Sequence, residues 1–280
     1  MLIIDTYQAI LDIFSNNTFS LDIWDKYADS ISSTFKEKVK DDASNYDFNL
    51  EILPIISQLL QNRDKFEQAH KAFINVTKEL PKRVIDVLNT DLDVSIIFYL
   101  GLCNGAGWAT SLDGKMVVLL GIEKIVELNW YDERNMIALI YHELGHIWHK
   151  HVRTTPTTIA TQKENALWQL YSEGMAMHCE QLLYGDTDFY HQDKGGWLNW
   201  CRNNRNRLFK EYKKRIDTNI SVQSFYGDWS QFEGHSDIGY YLGTEFIKQL
   251  SEEYSLYKLA NLDMQTIAEK FSCIEGITNI

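Results

Sequence analysis

Apolar residues recur at helical spacing over residues 1 to about 88. Leu2, Ile3, Ala9, Ile10, Ile13 and Phe14 fall near one helical face. The pattern predicts a second helix from Ser20 or Leu21 to about Val39. A third runs from about Leu50 to Leu80, broken or bent early by Pro54. Two of these segments carry many charges, which suits solvated outer faces.

The texture then changes. Val94-Ser95-Ile96-Ile97-Phe98-Tyr99-Leu100 is β-branched and aromatic, and predicts a strand. Gly101 to Gly107 is glycine-rich and must turn. A phosphate cradle there is disfavoured, because no Lys-Ser/Thr follows and the next element is a strand. Asp113-Gly114 is a tight-turn dipeptide before a second strand, Lys115 to Ile122. Helical periodicity returns at about 132–153, 163–184, 197–215, 237–258 and 263–271. Only three prolines and 15 glycines interrupt the chain, which favours helix. The expected class is α+β and predominantly helical, with a small antiparallel sheet. An N-terminal helical lobe over 1–90 would precede a domain over 91–280, unless the two form one continuous unit.

Composition narrows the function classes. With 280 residues, 45% hydrophobic and 24% charged, the chain can bury a sizeable core. The 39 acidic against 27 basic residues give a net charge of −12. That field argues against nucleic acid and anionic membranes as partners. No apolar run reaches the length of a membrane span, and the N-terminus lacks a basic signal-peptide start. Cys103, Cys179, Cys201 and Cys273 show no paired spacing. They read as buried, reduced thiols in a cytoplasmic protein.

The chemistry concentrates in His142-Glu143-Leu144-Gly145-His146, a His-Glu-x-x-His on the helix predicted to start after Asp132. Four residues turn a helix by about 400°, so both imidazoles project from one face about 6 Å apart along the axis. There they can reach one Zn²⁺ at about 2.0–2.1 Å. Glu143, about 100° round, is placed to hold a water on the metal rather than to bind it. A carboxylate among Met136, Leu139, Ile140 and Ile147 is costly without such a partner.

A catalytic zinc needs a third protein ligand. The downstream candidates are His149, His151, Glu164, Glu173, His178, Glu180 and His191. His149 lies too close along the same helix to converge with the pair, and His151 points elsewhere. The helix over 163–184 is the better source. Glu173 shares the face of Leu170 and Met177 and is the favoured ligand. Gly174 and Ala176 beside it permit close helix approach. Glu180 is held in reserve, or as a partner that orients a histidine. His178 reads as a structural histidine.

These residues resemble the gluzincin type of zinc metallopeptidase, where His, His and a Glu from the next long helix bind zinc. Here Glu173-Gly174-Met175-Ala176 begins 27 residues after His146. The arrangement is also similar to an uncharacterised family of predicted Zn-dependent proteases. That family has a strand pair before the active-site helix and a Gly-Tyr-x-x-Gly element, matched by Gly239-Tyr240-Tyr241-Leu242-Gly243. The likeness covers roughly residues 94–250. It implies a zincin-like catalytic domain, one catalytic Zn²⁺ and a peptide or protein substrate. Glu143 would be the general base, and Tyr240 the oxyanion donor with Tyr241 and His235 as alternatives. It also implies that the strand before the active-site helix, Lys115 to Gly121, edges the cleft and pairs with substrate. A non-catalytic zinc module that binds a peptide or partner is the rival reading.

Two features stand outside this scheme. Arg202, Arg205, Arg207, Lys210, Lys213, Lys214 and Arg215 form a basic cluster. It reads as a solvated helix face, or else as a contact for an acidic partner. Trp197 and Trp200, after Gly195-Gly196, read as packing residues rather than a cleft wall.

Overall fold

The computed structural model describes residues 1–16, 18–227 and 230–274. They are predominantly helical with one small sheet, an α+β arrangement. The chain divides into two compact units, Met1–Leu144 and Gly145–Ile280. No helix among the described residues is long and apolar enough to cross a membrane.

The first unit opens with a strand. Leu2–Asp5 forms β1, and helical spacing takes over only in α1 (Tyr7–Ile13). Short helices follow: α2 (Leu21–Ile31), α3 (Phe35–Ala43), α4 (Leu53–Gln61), α5 (Arg63–Thr77) and α6 (Leu80–Leu88). The helix expected over 21–39 breaks at Ser32-Ser33-Thr34. The hydroxyls of Ser33 and Thr34 donate to the Asp113 carboxylate at 2.7 and 3.0 Å, competing with helical bonding. The helix expected over 50–80 is likewise several pieces: a π-helical turn at Phe48–Ile52, then α4 and α5. Pro54 and Pro81 fall in the first turns of α4 and α6, where the missing N–H costs no helical bond.

After α6 come β2 (Val94–Tyr99), β3 (Gly107–Leu112), β4 (Lys115–Gly121) and the short helix α7 (Ile122–Glu127). The sheet order is β1-β2-β4-β3. β1 runs parallel to β2, with Leu2 opposite Ser95, and β2 runs parallel to β4. Only β3 and β4 are antiparallel. The sheet is therefore mixed rather than antiparallel. A three-residue aliphatic start such as Leu2-Ile3-Ile4 fits either period, and long-range pairing decides it. β1 also joins residues before 90 to those after it in one sheet.

β2 is almost continuously buried, as a strand covered on both faces should be. Phe98 lies on Phe66 and Phe73, and the Trp24 indole donates to the Leu100 carbonyl at 2.9 Å. Asp113 and Gly114 both have positive φ (48° and 77°), which matches the twist of a two-residue hairpin turn. β3, half-exposed along most of its length, was not anticipated as a strand. At the start of α7, Glu123 is buried and accepts the N–H groups of Gly101 and Cys103 at 2.9 and 3.1 Å. Burial still dominates those bonds and pushes its carboxyl up to about 7.

The division between the units falls inside α8 (Glu133–Val152). The second unit continues with α9 (Gln162–Tyr184), α10 (Trp197–Asp217), α11 (Ile238–Ser251), α12 (Leu256–Ala260) and α13 (Met264–Ser272). α9 starts on a capping box, with Thr161 and Glu164 satisfying each other's backbone, and stops at Gly185 in the left-handed region. α9 and α11 touch backbone to backbone. A Cβ on Gly174 would lie 2.3 Å from the Gly243 carbonyl oxygen. The helix expected over 237–258 ends at Ser251, and α12 is separate.

Cys179 and Cys201 are buried thiols as expected, but Cys103 is only half-buried and Cys273 is exposed. The basic cluster is largely internally neutralised. Arg202 pairs with Asp188, Arg205 with Glu245, Arg207 with Glu233, Lys213 with Asp217 and Arg215 with Glu211. Those pairs fit a solvated helix face.

Candidate metal centre

The site is built on α8 and α9. α8 begins as its sequence requires, with the Asp132 carboxylate accepting the Asn135 N–H at 2.9 Å. It ends where Arg153 turns its guanidinium onto the carbonyls of Ala260 and Leu262, at 2.7 and 3.0 Å. A Cβ on Gly145 would meet the Ala176 backbone at 2.7 Å, so α8 and α9 approach closely just beside His146. Ala176 therefore does face α8 closely, while Gly174 serves the contact with α11 instead.

His142, His146 and Glu173 offer ligand atoms that all lie within 4.8 Å of one another, the one such group among the described residues. His142 is buried, and His146 and Glu173 are partly so. His146 Nε2 and Glu173 Oε2 are 3.2 Å apart. Two ligands about 2.05 Å from a tetrahedral ion stand about 3.3 Å apart, so the spacing suits a shared cation. Two imidazoles and one carboxylate also match the donor set of an open zinc site. The residues fit a metal ion.

Glu143 faces β3. Its Oε2 accepts the N–H of Ala109 at 2.8 Å. The resemblance has Lys115 to Gly121 edge the cleft and pair with substrate, but β4 lies between β2 and β3 and has no free edge to offer. The free edge beside Glu143 is β3, because the Asp113-Gly114 hairpin folds it outside β4.

The other candidates have different partners. Glu164 belongs to the α9 cap. Glu180, fully buried, is bonded to His191 Nδ1 at 2.9 Å, so it orients a histidine rather than joining the ligand group. His149 is buried near Trp168 and Tyr171, and burial pushes its pKa down to about 3. Burial likewise lowers His178 to about 4. His151 is exposed.

Tyr240, in the first turn of α11, has its ring against Tyr226 and His191, with centroids 5.8 and 6.4 Å apart. Tyr241 is a core residue, packed on Tyr190 and Trp197. His235 is stacked on Trp200 at 3.8 Å. All three candidate donors thus sit among aromatic rings. Trp197 also packs as expected, its indole donating to the Ser236 carbonyl.

Two tyrosines went unnoticed in the sequence. Tyr212 donates to the Ala166 carbonyl at 2.8 Å, and its oxygen lies 3.1 Å from the Tyr226 hydroxyl. Burial raises both phenols, and the Glu173 carboxylate adds to the effect. The two phenols bond each other rather than a charged group. Nothing in local spacing marks them, since one is on α10 and the other in a loop.

Comparison with known proteins yields no match to a family model, to a curated protein or to a solved structure.

Proposed function

We propose that the chain is a zinc-dependent hydrolase, most simply a metallopeptidase of gluzincin type on a zincin-like fold. The observation that carries this reading is the convergence of ligand atoms of His142, His146 and Glu173 within 4.8 Å of one another. Glu143 stands next in sequence to His142 and accepts the Ala109 N–H of β3. His142, His146 and Glu173 would hold the zinc ion, which would supply a lowered pKa for water and a polarised carbonyl. Glu143 takes the proton of the attacking water and passes it to the leaving amine. Tyr240 is the proposed donor to the developing oxyanion.

An extended peptide would add to the free edge of β3. The net charge of −12 favours a peptide over nucleic acid or an anionic membrane as partner. Four free thiols favour the cytoplasm. The same centre would also open another amide or an ester, because the metal and base do not select the leaving group.

The test is hydrolysis of a mixed peptide library by the wild-type chain and by Glu143→Gln, with zinc content measured in both. Metal in both and turnover in the wild type alone supports a hydrolase. Metal in both and turnover in neither favours a non-catalytic zinc module that binds peptides.

A further inference from the structure

The hairpin register determines which backbone groups of β3 are free. Leu112 pairs with Lys115 across the two-residue turn. The pair closing such a turn is hydrogen-bonded, and bonded and non-bonded pairs then alternate along the ladder. Thr110 and Trp108 therefore direct their N–H and C=O groups at β4. Gly107, Ala109 and Ser111 direct theirs outward. The outward N–H of Ala109 is the one that Glu143 Oε2 accepts at 2.8 Å. Gly107 meets the same carboxylate from the other side. A Cβ there would lie 3.2 Å from Glu143 Oε1 and 2.5 Å from Leu139 Cδ1. Leu139 is one turn before Glu143 on α8.

We propose that the free edge of β3 is the positioning element for Glu143. The Ala109 N–H fixes one carboxylate oxygen. The absent side chain at Gly107 leaves room for the other, which is then free to take a proton. This role rests on the reading of Glu143 as general base. It also has a consequence for substrate. With the Ala109 N–H engaged, the outward groups left near the base are the Ala109 carbonyl and the backbone groups of Gly107 and Ser111. A peptide pairing there takes its register from the same backbone that holds the base, so water, base and scissile bond share one reference. Ala109 and Gly107 are positioning residues: they act on the reaction only through Glu143.

The test has two arms. The first reads amide hydrogen exchange in the full chain, wild type against Glu143→Ala. The Ala109 amide should exchange at least about tenfold faster in the variant, while the Thr110 amide, bonded to β4, keeps its rate. Equal Ala109 rates in the two proteins overturn the proposal. The second arm is Ala109→Pro, which removes an N–H that the β-ladder does not use. It should lower kcat by about 10- to 100-fold, with KM and zinc content unchanged. Unchanged kcat in a protein whose Thr110 amide stays protected overturns the proposal. If the wild type hydrolyses no peptide, the hydrolase reading fails, and the exchange arm still decides whether β3 holds Glu143. If Ala109→Pro does not fold, the exchange arm again decides.

Discussion

Glu173 and Glu143 are both carboxylates on long helices, and the chain secures them by opposite means. Beside Glu173, Gly174 brings α9 against the backbone of α11 with no side chain between. Tyr212 and Tyr226 add buried phenols nearby. Glu143 instead is tied to an open strand edge by one amide. A metal ligand gains from immobility, because affinity depends on ligands that need no rearrangement. A general base has to exchange a proton with two partners in turn. A single hydrogen bond to a free edge orients it and leaves one oxygen available.

The largest expected contrast is chemical. Glu173→Ala should lower zinc affinity by about 100-fold or more, read by chelator competition. Glu143→Gln should keep the metal and lose about 10²- to 10⁴-fold in turnover. Loss of metal from Glu143→Gln would erase the distinction between the two carboxylates. Next is the packing behind Glu173. Gly174→Ala drives a Cβ into a carbonyl that cannot move aside, and should cost about 3 kcal/mol or more in denaturant unfolding.

The third contrast is between the buried ionisable groups of the two units. In the first, Glu123 rises from an ordinary 4.5 to about 7 in the folded state. Its stabilising contribution is complete below pH 4.5 and is lost as pH rises through 7, a change on the order of 3 kcal/mol. In the second, His149 falls from 6.5 to about 3. Its contribution is complete above pH 6.5 and is lost as pH falls toward 3. Unfolding free energies across pH, wild type minus Glu123→Gln and wild type minus His149→Phe, should slope in opposite directions. The smallest effect on stability is Gly107→Ala, about 1 kcal/mol, because the atom it meets ends the flexible Leu139 side chain. Its kcat should nonetheless fall, since the displaced atoms lie against Glu143.

The long helices and the shorter pieces differed in how far they could be read. α8, α9 and α10 appeared in the sequence almost to the residue, because each carries 20 or more residues of consistent period and its own stop signals. The helices before residue 90 were misjoined. Their breaks depend on bonds such as Ser33 and Thr34 to Asp113, made 79–80 residues away. β1 and β3 were missed for the same reason: a strand of four to six residues is defined by its partner more than by its own pattern.

For the candidate site, the sequence alone determined that His142 and His146 share one helix face with Glu143 beside them, since the helical repeat fixes that without reference to the rest of the chain. It also put Glu173 on a second apolar helix. The tertiary structure decided which carboxylate meets the imidazoles, sending Glu173 to them and Glu180 to His191. It also decided that β3 rather than β4 is the free sheet edge, that its Ala109 N–H meets Glu143, and that Tyr212 and Tyr226 meet each other. Those choices depend on which backbones can touch at Gly174 and Gly145 and on which side chains the bare Gly107 admits. Close approach is a property of two surfaces together, and neither segment encodes it alone.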